Sequence, residues 1–313
     1  MRAAIVTSFD RPPRYGDFDE PAPDGPGEVL VEVVAAGLHH LTRARASGAH
    51  YSGDGTLPFV PGADGVGRDA NGRLRYFAQA PGAPGTMADR TVIALDHSIE
   101  LPAGSDPAAV AAAMNPAMAS WLALRCRVPF HSGQRVLILG ATGSSGRMAV
   151  QVARHLGASQ VIAAGRDDRK LAGLPALGAT DVARLDDPRL GALAREVDFV
   201  LDLIWGESST RVMEMVVRQR ADRGQPLTWI QIGSIAGEVA PIPGHLLRSA
   251  RLQVVGSGMG SVSGREIMAE LPELAREIAR GSFSIPFRTV PLRDVERLWS
   301  EKPIDGERIV FIP

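Results

Sequence analysis

From Val136 onward, apolar residues come in short unbroken runs, each followed by a stretch in which they recur at helical spacing. The runs over 136–139, 160–164, 197–204, 228–232 and 252–256, with a shorter one over 181–185, predict buried strands. Helical spacing over 146–156, 168–177 and 209–222 predicts the connections, the second disturbed by Pro175. In the first of these helices Ala149, Val152, Ala153 and Leu156 share one face, and Gly157 stands where a C-cap belongs. Strand and helix in alternation predict an α/β fold with a doubly wound parallel sheet.

The first third of the chain has another rhythm. Strand composition occurs over 3–7, 29–36 and 90–94, and a weak helical pattern over 39–47. Pro12-Pro13, the stretches 21–27 and 53–61, and Asn71-Gly72, a hairpin-turn pair, break it up. This predicts an irregular β domain. The pattern shifts near Ala108. Helices are expected over 108–113 and 116–127, with Asn115 as N-cap and Pro116 in the first turn. Beyond Ser257 a helix over 264–280 precedes a final strand over 308–312.

Composition narrows the function. The 313 residues are 45% hydrophobic and 22% charged, with a net charge of −1, so no field draws the chain to nucleic acid or an anionic membrane. Aromatics, at 5%, are too sparse for a base-stacking surface. No apolar run approaches the roughly 18 residues of a membrane span. The start, Met1 to Val6, reads as a strand and not as a signal peptide. Cys126 is the single cysteine, so internal disulfides and cysteine-cluster zinc sites are excluded. A cytoplasmic protein is expected.

The richest stretch joins strand 136–139 to helix 146–156: Gly140-Ala141-Thr142-Gly143-Ser144-Ser145-Gly146. Its G-x-x-G-x-x-G spacing departs from the commoner G-x-G-x-x-G. Strand, glycine turn and helix are nonetheless the context that a dinucleotide pyrophosphate needs: close backbone approach, and a helix N-terminus aimed at the charge. Thr142, Ser144 and Ser145 add hydroxyl donors. At the tip of the next strand, Gly165-Arg166 stands where an NAD-selective fold has an acid. Arg166 can present a planar fork to a 2′-phosphate, and Lys170 lies about one turn on. Asp167 is read as the cap of the following helix, which leaves Arg166 to the ligand. The cofactor predicted is NADPH.

Several segments in order resemble the zinc-independent quinone oxidoreductase (ζ-crystallin-like) branch of the medium-chain dehydrogenase/reductase superfamily. They are Pro61-Gly62-Ala63-Asp64-Gly65-Val66-Gly67, Gly85-Thr86-Met87-Ala88-Asp89, Asn115 through Leu122, the glycine loop, Ile232-Gly233-Ser234, Gly256-Ser257, and Arg308-Ile309-Val310-Phe311. The resemblance implies a GroES-like β domain from 1–113 and 257–313, and a Rossmann domain over 114–256 inserted in it. It implies that Gly233, Ser234 and Asn115 hold the nicotinamide. Where zinc-dependent relatives place metal ligands, this chain has His39, Ala63-Asp64 and Asn115, so no metal is expected. In the segment from Gly37 to Thr42, His39 and Thr42 replace the Asn and Asp usual in the family. A His facing the cleft could hold a carbonyl or supply a proton; it could equally pack beneath the nicotinamide or bind a backbone carbonyl. Tyr51 is read as either a substrate contact or domain packing.

The expected activity is hydride transfer from NADPH to a quinone or another small conjugated carbonyl, with no nucleic acid or membrane partner. His39, Tyr51 and Asn115 are the catalytic candidates. A homodimer is expected, because in relatives a strand near 252–256 pairs with its twofold mate. The competing readings are a non-catalytic NADPH-binding redox sensor or scaffold, and a zinc-dependent alcohol dehydrogenase.

Overall fold

A computed structural model describes residues 1–49, 55–79, 83–258, 260–301 and 306–313. The chain divides into two units, Met1–Asn115 with Met268–Pro313, and Pro116–Ile267. In the first unit, β1 (Arg2–Ile5), β2 (Arg14–Asp17) and β3 (Glu28–Gly37) precede helix α1 (His40–Ala46). Strands β4 (Asp64–Arg68), β5 (Leu74–Ala78), β6 (Arg90–Ala94) and β7 (Ser98–Glu100) follow. Helix α2 (Pro107–Leu122) runs through the boundary. The second unit contains β8 (Arg135–Leu139), α3 (Ser144–His155), β9 (Gln160–Gly165), α4 (Asp168–Leu171), β10 (Asp181–Arg184) and α5 (Arg189–Leu193). It continues through β11 (Phe199–Asp202), α6 (Gly206–Gln219), β12 (Leu227–Gln231), α7 (Gly244–Ser249) and β13 (Leu252–Gly256). After α8 (Gly264–Ala279), the chain ends in β14 (Phe287–Pro291), α9 (Val295–Leu298) and β15 (Arg308–Ile312).

The sheet of the second unit is parallel throughout, in the order β10-β9-β8-β11-β12-β13. Counted from β8 this is 3-2-1-4-5-6, the doubly wound order, whose ligand crevice opens where β8 and β11 part. The apolar runs explain it. Val136, Leu137, Ile138 and Leu139 of β8 and Val161, Ile162, Ala163 and Ala164 of β9 are all fully buried, as strands covered on both faces must be. Val212, Met213, Val216 and Val217 of α6 pack into the same core as Leu137, Val200 and Trp229.

In the first unit, β3 pairs antiparallel with β4, β6 and the C-terminal β15, so the last strand joins the sheet begun near the N-terminus. Ala4, Val33, Ala36, Leu38, Leu298 and Phe311 share its core. The hairpin expected at Asn71-Gly72 joins β4 to β5: Gly72 has φ +80°, and its N–H donates to the Asp69 carbonyl at 2.8 Å.

Three expected elements differ. The helices expected over 108–113 and 116–127 are one helix, α2, with Pro116 inside it and a π-turn over Ala123–Arg127 after it. Asp106 starts it, accepting from the Ala108 N–H at 2.9 Å, so Asn115 lies mid-helix and caps nothing. The segment Pro107–Arg127 is thereby long and apolar enough to cross a membrane by length and composition. Yet most of it is buried within the protein, as in a core helix. The helix expected over 168–177 stops after four residues as α4; a 3₁₀ turn, Pro175–Leu177, follows, since Pro175 cannot donate to a continuing ladder.

Candidate functional site

The glycine loop leaves β8 at the switch point. Gly140 has φ +83°, a conformation glycine adopts without strain, and the N–H groups of Gly140 and Ala141 both donate to the Ala164 carbonyl at 3.0 Å. The loop is thus tied to the tip of β9. Gly143 is the N-cap of α3 and supplies no side-chain acceptor, so the first amides of that helix keep their donors for a ligand. At Gly146 a Cβ would lie 2.2 Å from the Gly140 carbonyl oxygen and 2.5 Å from the Ala141 Cα. Only glycine lets the helix approach the strand exit this closely. Thr142, Ser144 and Ser145 are half-buried around the turn.

At the β9 tip, Arg166 is exposed, and among the described residues its side chain makes no ion pair or hydrogen bond. Asp167 is the cap of α4, its carboxylate accepting from the Lys170 N–H at 3.2 Å. Asp168 pairs with Arg184 at 3.3 Å. Both acids beside Arg166 are therefore engaged elsewhere, and Arg166 and the half-buried Lys170 remain for a phosphate.

A third group lies at the ends of β11 and β12. Asp202 is fully buried. Its Oδ1 accepts from the Ile204 and Trp205 N–H groups at 3.0 and 2.9 Å, and its Oδ2 from the Trp229 indole at 2.8 Å. Its carbonyl accepts from Ile232 and Gly233 at 2.8 and 3.2 Å. One residue therefore fixes both strand exits, including the turn that carries Gly233 and Ser234. Trp205 sits at φ 55°, a strained setting for a side-chain-bearing residue, which the Asp202 bond to its N–H helps to hold. Ser234 donates to Glu238 at 2.7 Å. A hollow of about 370 Å³ opens here, lined by Trp205, Gln231, Ser234, Glu238, Val254 and Gly256. The sequence reading passed over Asp202, although a lone acid ending the otherwise apolar strand Phe199-Val200-Leu201 was a signal.

The first unit holds a buried polar cluster. His39, Asp64 and Tyr76 are 2%, 3% and 1% exposed. His39 Nε2 lies 2.6 Å from Asp64 Oδ1, and the Tyr76 hydroxyl donates to Asp64 Oδ2 at 2.6 Å. Arg308 of β15 donates to His39 Nδ1. A nitrogen that accepts from a guanidinium carries no proton, so His39 is the neutral Nε2–H tautomer. Burial pushes its pKa down and Arg308 adds to this, against the pull of Asp64. Burial opposes the Asp64 charge, but His39, Tyr76 and Arg308 outweigh it and hold the carboxyl below the usual range. Burial pushes Arg308 down to about 10, and raises Tyr76 with help from Asp64.

Of the two readings left open for His39, the structure shows an interior group, its Nδ1 accepting from Arg308 and its Nε2 close to Asp64. Thr42 is also buried. Asn115 is half-buried in α2. Tyr51 lies outside the described residues. Among the described residues no three His, Cys, Asp or Glu side chains converge as metal ligands.

Residues 136–223 match the profile of the saccharopine dehydrogenase NADP binding domain family. The whole chain is 30% identical, over 363 aligned positions covering 100% of both proteins, to a probable NADPH-dependent quinone reductase, tdiC, of Emericella nidulans. It is 26% identical to the chloroplastic NADPH-dependent alkenal/one oxidoreductase of Arabidopsis thaliana, over 56% of this chain and 50% of that one. The quinone oxidoreductase of Thermus thermophilus, solved also as its NADPH complex, matches with a TM-score of 0.80 and 26% identity across 100% of both chains.

Proposed function

The chain belongs to the quinone oxidoreductase branch of the medium-chain dehydrogenase/reductase superfamily, and from that premise we propose how its residues serve an NADPH-dependent reductase of quinones or other small conjugated carbonyls. Bound NADPH supplies the hydride. The protein binds, orients and excludes water. The amides and hydroxyls of Thr142, Gly143, Ser144, Ser145 and Gly146 receive the pyrophosphate. Arg166 and Lys170 receive the 2′-phosphate. Gly233 and Ser234, held by Asp202, flank the nicotinamide. His39 serves by holding Asp64 and Arg308 in place and not by touching the carbonyl.

The observation that carries this reading is the glycine cradle at the switch point beside an arginine left free of its own acidic neighbours. Zinc has no part in this reading: of the three positions where relatives place zinc ligands, one is Asn115, a poor ligand, while His39 accepts from Arg308 and Asp64 accepts from Tyr76. A conjugated acceptor has its own electron sink and does not need a metal to stabilise an alkoxide. The single Cys126 fits a reducing, cytoplasmic setting. We also propose a homodimer formed along β13, the edge strand of the parallel sheet.

A panel of quinones and enones, with NADPH consumption followed, tests the activity. Turnover that survives chelator treatment, together with Arg166→Ala weakening NADPH about tenfold (~1.4 kcal/mol) and NADH little, is the expected result. Tight NADPH binding with no turnover on any acceptor would favour the sensor reading, which the burial of His39 and Thr42 supports.

A further inference from the structure

Arg184 ends β10 directly opposite Gly165 in the parallel register, beside the strand tip that carries Arg166. Its guanidinium is largely shared out. Nε and Nη2 donate to the two oxygens of Asp186 at 2.9 and 3.2 Å, which fixes the plane of the fork. Nη1 donates to the Arg166 carbonyl at 2.8 Å and to Asp168 at 3.3 Å. Four of the five N–H donors of Arg184 are thus committed to the protein. What it does is occupy the acids and brace the backbone next to Arg166.

Arg166 is followed at once by two carboxylates, and either could close on its guanidinium and repel an incoming phosphate. Asp167 is spent on the Lys170 N–H. The Asp168 carboxylate has no such backbone duty; among the described residues its partner is Arg184. We propose that Arg184 is a specificity-determining positioning residue, which sequesters Asp168 and pins the Arg166 carbonyl so that the Arg166 guanidinium is presented to the 2′-phosphate of NADPH. This rests on the assignment of Arg166 given above. The charge added by a released Asp168 would act on NADPH, whose extra phosphate lies there, and hardly on NADH, which lacks it.

The test is the affinity for both cofactors of the full-length protein and of Arg166→Ala, Arg184→Gln, Asp168→Asn and the double variant Arg184→Gln/Asp168→Asn. The side chains of Asp168 and Asp186 are 74% and 73% exposed, so the effect is that of a surface ion pair. Arg184→Gln should weaken NADPH about threefold to fivefold and change NADH less than about twofold. Removing the released charge in the double variant should restore the NADPH-to-NADH ratio. Equal weakening by Arg184→Gln and the double variant, or equal loss for both cofactors, overturns the proposal, since Arg184 would then be a direct ligand or a general support. No effect of Arg184→Gln where Arg166→Ala does weaken NADPH overturns it too, with the Arg166 assignment intact. No effect of Arg166→Ala overturns that assignment, and this proposal with it.

Discussion

Two buried carboxylates organise the two units in different ways. Asp202 is an acceptor only, and three N–H donors converge on it. Asp202→Asn would aim an amide N–H at one of them, leaving a buried donor unmet at about 1–3 kcal/mol. The expected outcome is a lower denaturation midpoint together with weaker NADPH binding, because the Gly233 turn hangs from the same residue. Asp64 instead balances a charge. Arg308 is half-buried and reaches Asp64 through His39, so Asp64→Ala removes the nearby anion and an acceptor of the Tyr76 hydroxyl, at a cost of about 1–3 kcal/mol in urea denaturation. Neither role can be read locally. His39 and Arg308 are 269 residues apart in the chain, and no spacing rule joins them. His39 thus looked available for catalysis until its partners were seen.

Elements were legible in proportion to how much of their cause is local. Strands β8 and β9 are continuous apolar runs, because both faces are covered, and they stand out. Strand β4 does not: it reads Asp64-Gly65-Val66-Gly67-Arg68, which resembles a turn. Gly65 is required by a neighbour, since a Cβ there would lie 2.9 Å from the Ala35 carbonyl oxygen of β3. Helix α2 was misjudged for the opposite reason, a strong local signal at Asn115-Pro116 overridden by packing around it. The glycine loop was legible because its demands are short-range, and it allows a paired test. Gly146→Ala puts a methyl into the Gly140 carbonyl and should cost about 1–3 kcal/mol of stability as well as NADPH binding. At Gly143 the nearest atom to a Cβ is 3.6 Å away, so Gly143→Ala should leave the melting temperature nearly unchanged. NADPH affinity should still fall about tenfold if the pyrophosphate approaches on that face. Thermal melts and cofactor titrations of the two variants separate the roles.

For the molecule as a whole, the buried histidine gives stability a pH dependence of definite sign. In the unfolded chain an imidazole takes up its proton near pH 6.5; in the fold, burial holds the His39 pKa lower. As pH falls, the unfolded state binds the proton first. Stability is therefore full above about pH 6.5 and declines below it, at up to about 1.4 kcal/mol per pH unit. Denaturation midpoints between about pH 7 and 5 should show this slope, and His39→Gln, which retains an acceptor and a donor, should flatten it. The broad architecture was readable from the change of rhythm near Ala108, whereas the charge balance of the first unit was not, because it depends on a strand from the far end of the chain.

That return of β15 to β3 has a consequence in time. The second unit, Pro116–Ile267, is continuous and emerges from the ribosome whole. The first unit begins earlier but cannot finish: β3 lacks one neighbour, and Asp64 and His39 lack their cation, until Arg308 has been made. Synthesis order and folding order are therefore inverted, and the part translated first is completed last. Chains truncated after residue 270 and released should yield a protease-resistant core from the second unit while the N-terminal strands are digested. Resistance of the N-terminal strands at that length would show that they close without the last strand.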